Sequence, residues 1–178
     1  MTARTAGDRP PNDVVARFFE AFARRDVDTM MEVVSDDIVE DLAGVGVVTG
    51  ADEDRAFLTA LFESFPDLAT EVTRVVGAGN LVAVEWRRRG TFTGRPWRGL
   101  PASDRPFDFR GVALVEVDGD RITRINVYSD TAEFGRDIGV LPPEGSAGER
   151  FALALFRIRV RARRVVRATR ATIRCRPR

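Results

Sequence analysis

Histidine and lysine are both missing from this chain of 178 residues. Without imidazole there is no His-based nucleophilic triad, no HExxH metal site and no imidazole proton shuttle. All 28 basic residues are arginine, which stays protonated near neutral pH and offers neither a base nor a Schiff-base amine. The one cysteine, Cys175, forms no internal disulfide and no Cys cluster, which removes the usual residues of redox and zinc chemistry. No uninterrupted apolar run approaches the roughly 20 residues of a spanning helix, and the opening MTARTAGDRPP lacks the apolar centre of a signal peptide. The expectation is a soluble, cytoplasmic protein without metal or cofactor, whose acid/base work falls to Asp, Glu, Tyr or water.

Charge is plentiful but divided. Of 28 arginines and 27 acids, 11 arginines and one acid fall in residues 149–178, so a strongly basic tail follows a body with 17 arginines and 26 acids. The length suits one domain of ordinary size plus that tail. Residues 1–11 form a polar lead ending in Pro10-Pro11, residues 12–142 the domain, residues 143–149 a Pro- and Gly-rich linker, and residues 150–178 the Arg-rich tail.

Within the domain, Asn12 or Asp13 can cap a helix whose Val14, Val15, Phe18, Phe19 and Phe22 follow the 3–4 spacing of one helical face. Asp26 caps a shorter helix through Met30, Met31, Val33 and Val34, broken by Ser35-Asp36-Asp37. A strand over residues 38–42 and a brief extended piece at Val47-Val48 follow. A third helix, with Asp52 as cap, carries Phe57, Leu58, Leu61, Phe62 and Phe65 on one side and ends at Pro66. Strands then take over, at residues 69–76 and 81–93. In the second, alternation puts Val82, Val84, Trp86 and Arg88 on one face and Glu85, Arg87 and Arg89 on a solvent or subunit face. Residues 107–117 and 121–129 form a hairpin around Asp118-Gly119-Asp120, and Asp130 closes it. Helices first and strands afterwards indicate an α+β fold, with helices on one side of a curved, mostly antiparallel sheet.

These segments resemble the SnoaL-like polyketide cyclases, or ester cyclases, of the nuclear transport factor 2-like superfamily. The resemblance spans residues 14–142. It rests on the aromatic first helix, Phe65-Pro66-Asp67-Leu68, Val82-Ala83-Val84-Glu85-Trp86 leading to Gly90-Thr91-Phe92-Thr93-Gly94, the loop Leu100-Pro101-Ala102-Ser103-Asp104-Arg105, the turn Asp118-Gly119-Asp120-Arg121-Ile122, Asp130, and Ile138-Gly139-Val140-Leu141-Pro142. It implies a cone-shaped sheet wrapped around three N-terminal helices, with an apolar pocket at one end, usually in a homodimer. It also implies a cofactor-independent enzyme, a cyclase or isomerase in which a pocket Asp moves a proton on a hydrophobic, polyketide-like carbonyl compound. Ketosteroid isomerase uses an Asp base with an oxyanion hole on a similar fold.

Asp130 matches the acid of the family's last strand and is the candidate base. Burial beside Trp86, Phe92 and Phe109 would raise its pKa. The same residue opens Asp130-Thr131-Ala132-Glu133, which has the form of a helix cap. Tyr128, two residues earlier, is a candidate donor to an enolate oxygen or an ordinary packed tyrosine. Arg88 is a candidate oxyanion or carboxylate binder, or the partner of Asp41 or Glu40. Trp86, Trp97, Phe92 and Phe109 are candidate pocket walls, Trp86 also being a candidate core residue, and Asp41 is a lower-ranked second acid. Phe92 stands where the family often has His, and Asp104 replaces the usual loop glycine. Epoxide hydrolase-like relatives need an Arg-x-Asp pair and a further Asp, where this chain has Trp86, Arg88 and Val127. That activity therefore needs an atypical site.

In the tail, Phe151, Leu155, Ile158, Ala162, Val165 and Thr169 are spaced 4-3-4-3-4, a helical stripe among arginines, while residues 156–161 also alternate like a strand. An anionic membrane, a nucleic acid, and the acidic body of its own chain or of a dimer mate all fit its charge. These readings leave two function classes: an enzyme on a small apolar substrate, or a non-catalytic binding module whose tail does the work.

Overall fold

The computed structural model describes residues 11–174, with side chains through residue 160. The lead, apart from Pro11, and Cys175 lie outside the described residues. α1 (Pro11–Arg24) starts with proline, whose missing N–H costs nothing at a helix's first position, so Asn12 and Asp13 are already inside it. Val14, Val15, Phe18, Phe19 and Phe22 are buried, the stripe the spacing predicts. The helix ends at Arg25, whose φ of 58° allows the Asp26 N–H to donate to Ala21 O at 3.0 Å. Asp26 caps α2 (Val27–Met31), accepting from Thr29 N–H at 3.1 Å and from its hydroxyl at 2.6 Å. That helix is shorter than its apolar residues suggest. Val34 instead opens β1 (Val34–Leu42), and Val33 O accepts from Ile122 N–H at 2.7 Å, a strand-like use of two β-branched residues.

β2 (Gly46–Thr49) pairs antiparallel with β1 and leads into α3 (Ala51–Ser64). Its N-cap is Gly50 at φ 85°, not Asp52, which sits inside the first turn. β3 (Ala69–Ala78), β4 (Leu81–Thr91), β5 (Pro106–Asp118) and β6 (Arg121–Ser129) follow as an antiparallel run, with the turn at residues 118–121 where the sequence puts it. β6 then pairs parallel with β1, giving the order β2-β1-β6-β5-β4-β3. The chain is α+β, as expected: helices cover one face of a curved, mostly antiparallel sheet.

The core lies between the helices and the inner faces of β1 and β4–β6, built from α1's stripe, Leu58, Phe65, Val82, Val84, Trp86, Val115 and Ile125. Gly111 makes room for Trp86, since a Cβ there would fall 2.4 Å from the indole's Cζ2. On the outer face Arg87 is bound bidentate by Asp108, and Arg89 pairs with Glu71 at 3.2 Å. α4 (Thr131–Asp137) leads to α5 (Ala147–Arg174), so the tail is helical and not a strand. Its first turn takes in part of the predicted linker: Ser146 Oγ accepts from Glu149 N–H at 3.1 Å, and Glu149 accepts from Gly145 N–H at 2.6 Å.

Candidate functional site

A pocket opens between α3, α4 and the inner face of the sheet. Leu42 of β1, Phe57, Leu61 and Phe65 of α3 and its end, Trp97, Phe107 and Phe109, and Phe134 of α4 form most of its wall. The aromatics brace one another: Phe109 and Phe134 have ring centres 5.0 Å apart, and Phe65 and Trp97 5.8 Å. Among the described residues, only Arg88, Ser129 and Thr131 add polar side chains beside the indole of Trp97, and Arg88 is the one ionisable group in the lining. A single cation in an apolar cavity is the feature to explain.

Alternation along β4 sends Arg88 inward with Trp86, as the sequence predicts. Its guanidinium carbon lies 4.2 Å from the Trp86 ring centre and 4.3 Å from that of Phe22. Two aromatic faces hold the planar cation. The rest of the side chain is partly open to the pocket, but Nε is shut off from solvent with no acceptor among the described residues. Burial lowers its pKa to about 10, with the negative field of Glu40 acting the other way. Arg88 therefore remains charged at neutral pH.

Of two buried carboxyls, Glu40 and Asp54, the first is within electrostatic reach of Arg88. Glu40 points inward from β1 between Ile38 and Leu42, 7 % exposed, and Asp54 points inward from the first turn of α3, fully buried. The two are within hydrogen-bonding reach of each other, and neither oxygen of Asp54 has a donor partner elsewhere among the described residues. Two acceptor-only carboxylates in contact repel; a proton held between them turns that contact into a hydrogen bond. Burial first, then the charge and hydrogen bond of Asp54, hold the Glu40 carboxyl well above its ordinary range, with Arg88 pulling it back. Burial also raises Asp54, and its bond to Glu40 works against that rise. The start of a helix favours negative charge on Asp54, so Glu40 is the natural holder of the proton. With that proton in place, one negative charge on the pair offsets the charge of Arg88, whose field Glu40 feels.

The other predicted residues are distributed unevenly. Trp97 and Phe109 line the pocket; Trp86 lies beneath Arg88, edge-on to Phe109 at 5.6 Å; Phe92 is buried one layer away, 5.0 Å from Phe65. Asp130 is not among them. Its expected burial beside Trp86, Phe92 and Phe109 does not occur: it is exposed and caps α4, accepting from Glu133 N–H at 2.8 Å. Tyr128 is 54 % exposed on the sheet's outer face. The two do share a strand side, but Val127 and Ser129, on the opposite side, are the residues that reach the pocket. Asp41 likewise faces outward, while its neighbour Glu40 faces in.

Asp54 escapes the sequence analysis, yet a signal for it exists. The α3 stripe of Phe57, Leu58 and Leu61, extended back by three and four residues, lands on Asp54. A period of two from Ile38 and Leu42 lands on Glu40 in the same way. A charged residue in register with an apolar face marks either a pairing or a site. Among the described residues, no group of three or more His, Cys, Asp or Glu is arranged to hold a metal ion.

Comparison with known proteins agrees with this architecture. The SnoaL-like domain profile matches residues 15–125. A candidate SnoaL-like polyketide cyclase from Jannaschia sp. CCS1 is similar over 80 % of this chain and all of its own, at 23 % identity and a TM-score of 0.69. IdmH, a candidate polyketide cyclase from Streptomyces antibioticus, is similar over 74 % of this chain and 99 % of its own, at 27 % identity and a TM-score of 0.63. An NTF2-like protein from Burkholderia thailandensis E264 matches over 75 % of this chain and 99 % of its own, at 23 % identity and a TM-score of 0.63. No curated protein matches significantly. With the profile covering more than half its length and the same helices-then-sheet order, the chain belongs to the SnoaL-like domain family, on the NTF2-like fold.

Proposed function

We propose that the chain is a cofactor-independent cyclase or isomerase that acts on an apolar, polyketide-like carbonyl compound through the Arg88 pocket. The observation that carries this reading is the single guanidinium in an otherwise apolar cavity, with two buried carboxyls, Glu40 and Asp54, whose burial favours their protonated forms. Apolar walls take the body of the substrate, and Arg88 receives a carbonyl oxygen. When a carbon beside that carbonyl loses its proton, the negative charge moves onto the same oxygen, where a fixed cation in a dry site stabilises it most. In an intramolecular aldol closure that carbon forms a bond to the carbon of a second carbonyl. The oxygen there takes up one proton in place of the one that solvent accepted from the first carbon, so the reaction is redox-neutral and its protons balance.

Among the described residues no carboxylate lines the pocket, which bears on the substrate. A carbon between two carbonyls gives up its proton far more readily than one beside a lone ketone. A pocket that offers a cation and no adjacent strong base suits such 1,3-dicarbonyl chains. Glu40 and Asp54 keep the charge around Arg88 balanced and act as positioning groups. Epoxide opening is poorly served, because the strand position that would offer a water-activating acid to the pocket is Val127.

The test is turnover of aromatic 1,3-dicarbonyl esters, followed by loss of enolate absorbance, in the wild type and Arg88→Met. Removing one oxyanion donor is expected to lower kcat by about 100- to 1,000-fold, with binding of an apolar fluorescent dye retained. Equal turnover in the two proteins would remove Arg88 from the mechanism. Saturable ligand binding without turnover of any carbonyl compound would make the domain a binding module instead.

A further inference from the structure

We propose that α5 is an interfacial helix that lies on an anionic lipid surface. The first observation is exposure. Phe151, Leu155 and Ile158, spaced four and three residues apart on one helical face, are 66 %, 46 % and 62 % exposed. Helix α5 packs on no other helix or strand among the described residues. The sequence continues the spacing at Ala162, Val165 and Thr169, and at 100° per residue no arginine of this segment falls among these positions. Leu153 and Phe156 lie off the stripe, and both are exposed too.

The second observation is charge. Eleven arginines and no acid follow Glu149. A helix with an uncharged stripe and a cationic remainder matches the interface of an anionic bilayer, where apolar side chains enter the acyl boundary and arginines meet phosphates. The 28 residues of α5 make a rod about 42 Å long. No helix among the described residues is long and apolar enough to cross a membrane, so α5 lies on a bilayer instead of through it.

Two other occupants fit less well. A nucleic acid offers phosphates to the arginines but leaves Phe151, Leu155 and Ile158 in water. The acidic body of a second copy offers fewer free acids than its composition suggests. Glu32, Asp28, Glu85, Asp108, Glu71, Glu63 and Asp120 each lie against a body arginine, and Glu40 and Asp54 are buried.

Flotation of the full chain with phosphatidylcholine vesicles containing about a third phosphatidylglycerol, against pure phosphatidylcholine, tests the proposal. The anionic vesicles are expected to bind at least about tenfold more tightly, and added salt to weaken the binding. Two variants separate the occupants: Phe151→Ser/Leu155→Ser/Ile158→Ser, and Arg150→Gln/Arg157→Gln/Arg159→Gln. Each should lose most of the vesicle binding, with the domain's near-UV circular dichroism unchanged. Binding to duplex DNA that survives the serine substitutions, with no preference for anionic vesicles, would overturn the proposal in favour of nucleic acid. Absent vesicle binding together with concentration-dependent self-association, lost in either variant, would overturn it in favour of a second copy. None of these outcomes depends on Arg88 or on turnover.

Discussion

Two acidic corners of this molecule obey opposite rules. At the end of β6, Asp130 stands in solvent and satisfies a helix N-terminus, a local task settled by residues three positions apart. Inside, Glu40, Asp54 and Arg88 come from β1, α3 and β4 and meet only because the sheet curves under the helices. The first corner could lose its charge and remain the same structure. The second holds buried charges that water screens little, and Glu40 is coupled to both Asp54 and Arg88. A site assembled over long range with mutual dependence is the better place to seek chemistry.

The comparison breaks most visibly at Arg88. In Arg88→Met the buried carboxyls lose the positive field that Glu40 feels, and with no direct ion pair to Arg88 among the described residues the cost should stay below the roughly 3–5 kcal/mol of a broken buried salt bridge. Urea unfolding at pH 8 should show this loss. At pH 5 it should be smaller, because burial raises the pKa of both carboxyls and acid favours their neutral forms. A loss equal at both pH values would mean that the guanidinium contributes packing against Trp86 and Phe22 and little charge balance.

A smaller effect belongs to Glu40. Its folded pKa lies above the ordinary 4.5, so between that value and the folded pKa the native state binds more protons than the unfolded chain. Stability is fully present below about 4.5 and declines as pH rises through the folded pKa. The two carboxyls titrate as a unit, which spreads the decline over a wide range. Glu40→Gln keeps a donor toward Asp54 and should flatten most of that slope. Denaturant midpoints across pH 4.5 to 9 check this, and an unchanged slope would mean that no proton is shared.

The same contrast explains what the sequence made legible. Caps at Asp26 and Asp130, the faces of α1 and α3, and the β5–β6 hairpin are local patterns, and each forms where the spacing puts it, apart from shifts at helix starts. The order of those elements was enough to indicate the family. The site was less legible, because alternation says which residues share a face but not which face meets the pocket. Asp130, Tyr128 and Asp41 sit one residue out of phase with the positions that point inward, Ser129, Val127 and Glu40. Arg88 is legible because Trp86 and two valines fix its side as the buried one. Pairing Glu40 with Asp54 requires knowing that α3 crosses β1, a contact no local pattern reports.

The smallest expected effect is at Asp130, and it separates a cap from a base. Asparagine accepts from the backbone almost as well as aspartate at an N-cap, whereas alanine cannot accept at all. Asp130→Asn should therefore change stability little, and Asp130→Ala should cost about 1 kcal/mol in denaturant unfolding. A base behaves differently, since asparagine cannot take a proton and should abolish turnover as completely as alanine does. With the carboxyl exposed and held by Glu133 N–H, both variants should turn over the substrate at the wild-type rate, with stability alone distinguishing them. Loss of turnover in Asp130→Asn with stability intact would return the chemistry to the strand's end, and would require α4 to move so that Asp130 faces the cavity that Ser129 and Thr131 now line.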